Sequence, residues 1–212
     1  MKLSTIIIFM VAFPIVLFSQ SDKDTVDYFP LKVGNIWRYE FGTSDDIERR
    51  EVVDFSDEAN SNIYTVEIQN PMLKITGRSK KEVIEMRGQK VLRLSSSGPS
   101  LSGGEENNEF HPPEIVLQYP LKVGSTWTNK TTDWINSFKV IEFATVEVKA
   151  AIFKNVCKVE CITKSIDDEK GKTTIRWKKY LYYAPNIGLI KEVWNTKGKT
   201  FTYLELIGYQ LP

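Results

Sequence analysis

Histidine and cysteine are in shortest supply in this 212-residue chain, which has one histidine and two cysteines. A Ser-His-Asp or Cys-His system needs an imidazole beside its nucleophile, and a histidine-based metal site needs more than one imidazole. His111 supplies neither unless its segment folds over a nucleophile. The chain also lacks a glycine-rich phosphate loop and an acidic calcium loop. The sequence therefore predicts no catalytic residue, no metal site and no cofactor.

An excess of charge of either sign is also missing. The chain has 28 basic and 27 acidic residues and a net charge of +1. A nucleic-acid-binding protein needs a basic stripe to neutralise phosphates, and no such stripe stands out. We therefore expect no nucleic-acid partner, and a partner that is either a small molecule or an envelope protein.

The only long apolar run lies at the N-terminus. Ile6–Phe18 comprises thirteen uninterrupted apolar residues and follows the basic Lys2. A membrane-spanning helix needs about 20 residues, so the run is more typical of an export signal than of a retained anchor. We predict a signal peptide at residues 1–20, a mature chain without a membrane span, and a periplasmic or secreted location.

What the chain has in quantity is sheet-forming residues. Aromatic residues make up 12% of it, Val, Ile and Thr are abundant, and no long segment has helical periodicity. The run Trp37–Phe41 alternates aromatic and charged residues, which is typical of a half-buried antiparallel strand. A similar alternation slips after Val140, which predicts a β-bulge. The predicted class is all-β.

One eight-residue segment occurs twice. Pro30–Trp37 and Pro120–Trp127 share six of eight residues and lie 90 positions apart. Proline suits the start of a strand, and glycine permits a turn with positive φ. We interpret each copy as a corner that seats a tryptophan in the core, with a ligand-binding turn as the alternative. The structural positions are Pro30, Gly34, Trp37, Pro120, Gly124 and Trp127.

Two weaker matches extend the repeat. Asn62–Ile68 aligns with Asn155–Cys161, and Lys80–Ile84 aligns with Lys178–Tyr182. Landmarks in the same order indicate an internal duplication. We predict one domain, residues 21–212, made of two repeats at about 28–94 and 119–210. Their antiparallel sheets form a sandwich or a partly open barrel.

The segment between the repeats, residues 95–113, is dominated by Ser, Gly, Asn, Glu and Pro. This composition cannot pack a core, so the segment is predicted to be a flexible loop that links the repeats. A lid over a site is the alternative, since a loop this long inside a compact domain is either functional or a linker.

The two cysteines, Cys157 and Cys161, lie four residues apart on one predicted strand. Four residues of strand span roughly 13 Å, whereas a disulfide requires Cα atoms within about 7 Å. We predict two buried free thiols that pack as small apolar residues.

Two pairs of side chains are candidate functional residues. Glu67 and Glu160 occupy equivalent repeat positions and could form a glycosidase-like acid and base, although their alternation with valine favours the solvent face. Tyr180 and Tyr182 share a strand face, and they either stack on a ligand or belong to a strand buried on both sides.

The assembled motifs resemble those of a loose group of exported bacterial β-proteins without assigned function. These proteins have two Pro-Leu-x-x-Gly-x-x-Trp motifs and a Tyr-Tyr-Ala-Pro-x-x-Gly-Leu motif, here Tyr28–Trp37, Pro120–Trp127 and Tyr182–Leu189. A Gly-x-Phe-x-Asn segment corresponds to 151–155, with Ala151 in place of glycine. The resemblance implies a β-rich envelope or secreted protein and brings no catalytic residues. Pro185 and Gly188 independently predict a tight turn.

The function hypothesis that follows is an exported, non-enzymatic protein that binds a ligand or a partner between its halves. A carboxylate-dependent hydrolase is one alternative, and a structural module of a surface assembly is another.

Overall fold

The computed structural model describes residues 26–42, 46–58, 61–70, 79–99, 105–167 and 172–212. These residues form β-strands and no helix, so the predicted all-β class is confirmed, and none of them forms a membrane-spanning helix. The predicted signal peptide lies outside the described residues. The strands are β1 (Ile36–Phe41), β2 (Ile47–Glu58), β3 (Ser61–Gln69), β4 (Lys80–Arg87), β5 (Lys90–Pro99), β6 (Glu105–Gln118), β7 (Thr126–Lys130), β8 (Trp134–Val148), β9 (Ala151–Asp167), β10 (Lys172–Ala184), β11 (Gly188–Thr196) and β12 (Lys199–Gln210).

All twelve strands belong to one antiparallel sheet that curls into a nearly closed, barrel-like body. Its order is β6-β5-β4-β3-β2-β1-β12-β11-β10-β9-β8-β7, so each half of the chain is a six-stranded meander. The first strand pairs with the last, from Ile36 opposite Gln210 to Phe41 opposite Leu204. The predicted bulge is confirmed as a register shift between Val140 and Glu142.

The prediction that residues 95–113 form a flexible loop is wrong for most of that segment. Residues 95–99 complete β5 and residues 105–113 lie in β6, with Ser96 opposite Asn108 and Pro99 opposite Glu105. Strand ladders are made by the backbone, so these polar residues need no apolar face of their own. Their composition reflects what they face, which is solvent on one side and a polar interior on the other.

The two repeated corners lie at the same end of the body, here called the corner end. Gly34 has φ +91° and donates its N–H to Val52 O at 2.9 Å. Gly124 has φ +92° and donates its N–H to Val140 O, also at 2.9 Å. Positive φ values of this kind favour glycine, which explains why glycine stands at this place in both copies.

Each corner seats its tryptophan in the core. Trp37 and Trp127 are 7% and 5% exposed, and their indole N–H groups donate to Ile187 O and Ile115 O at 2.7 and 3.2 Å. Ile187 lies in the turn between β10 and β11, which is closed by a 3.2 Å bond from Ile187 N to Ala184 O. Gly188 follows with φ +97°, and a Cβ there would come within 3.5 Å of Pro30.

The edge strands β6 and β7 meet at a seam that side chains bridge, and no strand pairing joins them in the described ranges. Asn129 on β7 accepts a bond from Ile115 N at 2.9 Å and donates one to Ile115 O at 3.0 Å. The amide of Asn129 therefore replaces one rung of a backbone ladder. The Trp127 indole donates a second bond to the Ile115 carbonyl, which is the third bond across the seam.

Replacing Asn129 with leucine should open this seam. The change leaves the half-buried N–H of Ile115 without its partner, and loss of a bond of this kind costs about 1–3 kcal/mol. We expect the free energy of unfolding in urea to fall by about 1–2 kcal/mol and the Ile115 amide to exchange faster with deuterium. Thr128→Ala, an exposed change on the same strand, is the control. Equal stability and exchange in both variants would contradict the bridging role.

Candidate binding site

The mouth end, opposite the corners, contains an open interior. One cavity there has a volume of about 600 Å³, and a second of about 370 Å³ lies deeper. Six residues line both, so they are two parts of one space, here called the lumen: Arg50, Glu82, Arg93, Lys179, Glu192 and Trp194. Ligand pockets usually measure about 300–1,000 Å³, so the lumen is large enough for a small molecule.

Inward-facing residues change character along the strands. On β10 they run from Trp177 near the mouth through Lys179 to Leu181 and Tyr183, which are buried. Three other strands also change from charged residues near the mouth to apolar residues near the corners. Glu48 and Arg50 precede Val52 on β2, and Lys80 and Glu82 precede Ile84 on β4. On β11, which runs in the opposite direction, Ile190 precedes Glu192. Apolar side chains therefore fill the corner end, and charged ones line the mouth end.

The charged residues of the lumen, apart from Glu106 at the rim, neutralise one another. Arg50 pairs with Glu48 at 2.7 Å, and Lys179 pairs with Glu192 at 3.3 Å. The Trp194 indole N–H donates to the same Glu192 oxygen at 2.6 Å. The paired side chains number four basic and four acidic: Arg50, Lys80, Arg93 and Lys179 with Glu48, Glu82, Glu114 and Glu192.

Arg93 is the centre of an ion-pair cluster in the lumen. Its guanidinium reaches Glu82 at 2.9 Å and Glu114 at 3.0 Å, and it stacks over the Phe110 ring with 5.1 Å to the centroid. Lys80 adds a second cation 3.3 Å from Glu82. Burial would raise the pKa of Glu82, but the charges of Arg93 and Lys80 outweigh it and hold that pKa below its ordinary value. Glu82 is therefore a fixed carboxylate at neutral pH.

Aromatic rings form the opposite wall. They make a continuous series across the sheet, here called the aromatic strip, with ring centroids 4.8–5.9 Å apart. The small inward residues Thr163 and Ser165 on β9 leave room for Trp134 and Trp177 to meet across that strand. The strip comprises Trp134, Trp177, Trp194, Tyr203 and Phe41.

The tyrosines singled out from the sequence, Tyr180 and Tyr182, line neither part of the lumen. They alternate with the inward Lys179, Leu181 and Tyr183 and therefore lie on the outer face of β10. Lys158 lies over both rings, 5.0 and 5.7 Å from the centroids. The sequence predicted this outward pair as a ligand site because exposed aromatic residues can stack on a ligand. Trp177 and Trp194 carried no comparable signal, since tryptophan at an inward position normally indicates core.

The candidate carboxylate pair is not brought together. Glu67 lies on β3 and Glu160 on β9, with five strands between them in the sheet. Each alternates with inward valine, so both point outward, and Glu160 forms an ion pair with Lys178 on the outer face. Two carboxylates must flank one bond to act as acid and base, and these two cannot. The other excluded candidate, His111, is exposed beside Glu109.

Cys157 and Cys161 are free, buried thiols, as the spacing argument predicted. Both face inward on β9, at 0% and 1% exposure. Burial raises the pKa of Cys157 to about 12 and that of Cys161 to about 11. At neutral pH both are protonated and therefore poor nucleophiles.

No protein-family model matches this sequence, and no curated protein sequence matches it. Two crystal structures have a similar fold. One is a candidate lipoprotein of Parabacteroides distasonis, with a TM-score of 0.54 and 12% identity over 89% of this chain and 100% of that one. The other is a candidate exported protein of Bacteroides fragilis with a YmcC-like fold, with a TM-score of 0.54 and 14% identity over 88% and 100%. At these identities the likeness shows the fold alone.

Replacing Arg93 with methionine should destabilise the protein because it leaves Glu82 and Glu114 without their shared partner. Arg93 is 31% exposed, so we expect a loss of about 2 kcal/mol, less than for a fully buried pair. The loss should be full above the ordinary glutamate pKa of about 4.3. It should shrink as the pH falls through the lowered folded-state pKa of Glu82, where wild type loses the same stabilisation. Urea unfolding at several pH values measures both.

Arg49→Met is the control for Arg93→Met, because Arg49 pairs with Glu51 on the outer face. Such pairs contribute about 0–1 kcal/mol. A loss for Arg93→Met that is no larger than for the control, or that does not depend on pH, would contradict the ion-pair cluster.

Proposed function

We propose that this protein is an exported, non-enzymatic binding protein that holds a small molecule in its lumen. The observation that carries the proposal is the lumen itself, an open space of about 600 Å³ continuous with one of about 370 Å³. Its two walls differ in chemistry, so it would orient a bound molecule as well as enclose it. Binding sites in proteins combine apolar walls with a few placed polar groups in this way.

The chemistry of the walls favours binding over catalysis. A general acid or nucleophile needs a perturbed group that is free to exchange a proton or attack. The eight paired lumen charges are held in ion pairs, and the thiol of Cys161 stays protonated at neutral pH. This supports a role for these side chains as fixed hydrogen-bonding partners.

Export rests on the N-terminal sequence, in which the apolar run Ile6–Phe18 has the length of a signal peptide. The two structural neighbours are described as a candidate lipoprotein and a candidate exported protein, which supports the same location. The function proposed here is therefore exercised in the periplasm or outside the cell.

Native mass spectrometry of protein purified from its own envelope fraction tests this function. We expect a retained small-molecule mass that disappears on denaturation. Asn108→Trp places a large side chain in the lumen and should abolish retention. Asn107→Trp, at the preceding residue on β6, whose side chain is directed outward, should preserve it. Retention that is equal in both variants, or a bare wild-type protein that also binds no added ligand, would overturn the proposal.

A further inference from the structure

The lumen combines two surfaces whose joint chemistry defines a class of ligand. The aromatic strip crosses β8, β10, β11, β12 and β1 near the mouth. At the rim, Trp134 of the strip is 36% exposed, and Phe201, opposite Trp194 in the ladder, is 38% exposed. The strip is therefore elongated and accessible from outside, and it suits an extended molecule better than a compact one.

The facing wall presents hydrogen-bonding groups whose charges are matched, apart from one carboxylate at the rim, Glu106. The Arg93 cluster with Glu82 and Glu114 lies on β4, β5 and β6, and Ser96 and Asn108 lie beside it. Because the cations and carboxylates there are matched, a charged ligand would bring an unpaired charge and meet repulsion from one member of each pair. The exposed Glu106 at the rim adds one negative charge, which disfavours anions further.

A purely apolar ligand fits this wall no better. Covering ion pairs with hydrocarbon removes water from them and returns no hydrogen bond, which is costly. The ligand must therefore offer hydroxyl or amide groups to one wall and C–H surface to the other. Neutral sugars have this combination, with equatorial hydroxyls around a ring whose faces are made of C–H groups.

We propose that the lumen binds a neutral oligosaccharide, with its C–H surface along the aromatic strip and its hydroxyls toward the Arg93 cluster. This inference rests on the proposed function and names its ligand class. Trp177 and Trp194 provide the inner contacts, and Trp134 extends them to the rim. A paired guanidinium donates and a paired carboxylate accepts in fixed directions, so these groups would select among sugar hydroxyls by position.

Titration calorimetry with three neutral trisaccharides, maltotriose, cellotriose and N-acetylchitotriose, tests the inference. We expect at least one to bind. Trp177→Leu should weaken that binding by about tenfold, the effect of one lost aromatic contact. Trp134→Ala, at the exposed rim, is a second variant with little risk to folding. Tyr180→Leu, three residues along the same strand but on its outer face, is the matched control and should bind like wild type.

Two further probes separate failure of this inference from failure of the proposed function. They are the anionic sugar trigalacturonate and laurate, a carboxylate with a long apolar chain. Binding of either probe without any neutral trisaccharide, or a retained native mass that is not a neutral saccharide, overturns the ligand class and leaves a binding protein. Trisaccharide binding that resists both tryptophan changes also overturns it. If none of the five probes binds and the native protein is bare, both proposals fall together.

Discussion

The width of a twelve-stranded sheet that curls into a nearly closed barrel is the constraint on which the rest of this structure depends. About eight strands enclose an interior that side chains just fill, and wider bodies leave space. This protein fills one end with large residues, among them Trp37, Tyr39, Trp127 and Tyr183. At the other end it leaves the space open and lines it with side chains that tolerate water. The lumen follows from strand number as much as from any particular residue.

An open polar interior requires that its charges be satisfied without a ligand. The side-chain bonds do this within each wall, as in the pairs of Arg50 with Glu48 and of Lys179 with Glu192. No buried side-chain nitrogen or oxygen among the described residues lacks a hydrogen-bond partner. The protein can therefore be stable when empty, and a ligand adds to a network that is already complete. The Asn129 bridge serves the same end by closing the sheet where the backbone does not.

Much of this fold could be predicted from the sequence because strand alternation and turn chemistry are local. The glycine of each corner, the bulge after Val140 and the free cysteines all followed from spacing. The strand character of 105–113 did not, because β6 faces a polar lumen and lacks the apolar alternation by which strands are recognised. The sequence predicted a ligand-binding role for Tyr180, which lies on the outer face, and not for Trp177, which lines the lumen.

The inward direction of the lumen charges could have been predicted from the sequence. Lys179 shares its phase with Leu181 and Tyr183, and Arg50 shares its phase with Val52, so each is directed toward the interior. A charged residue in the buried phase of a strand must be paired inside or meet interior water. Which residue pairs with which depends on strand order and closure, which no local pattern contains.

The claim that one end is packed and the other open can be tested by placing the same large side chain at each. Asn108 is exposed and lines the lumen, and Val140 is fully buried beside the second corner. Asn108→Phe should change the free energy of unfolding by less than about 0.5 kcal/mol, because its ring enters open space. Val140→Phe should lose about 1–3 kcal/mol through overpacking. Comparable losses in both variants would mean that the mouth end is packed, and would contradict this account.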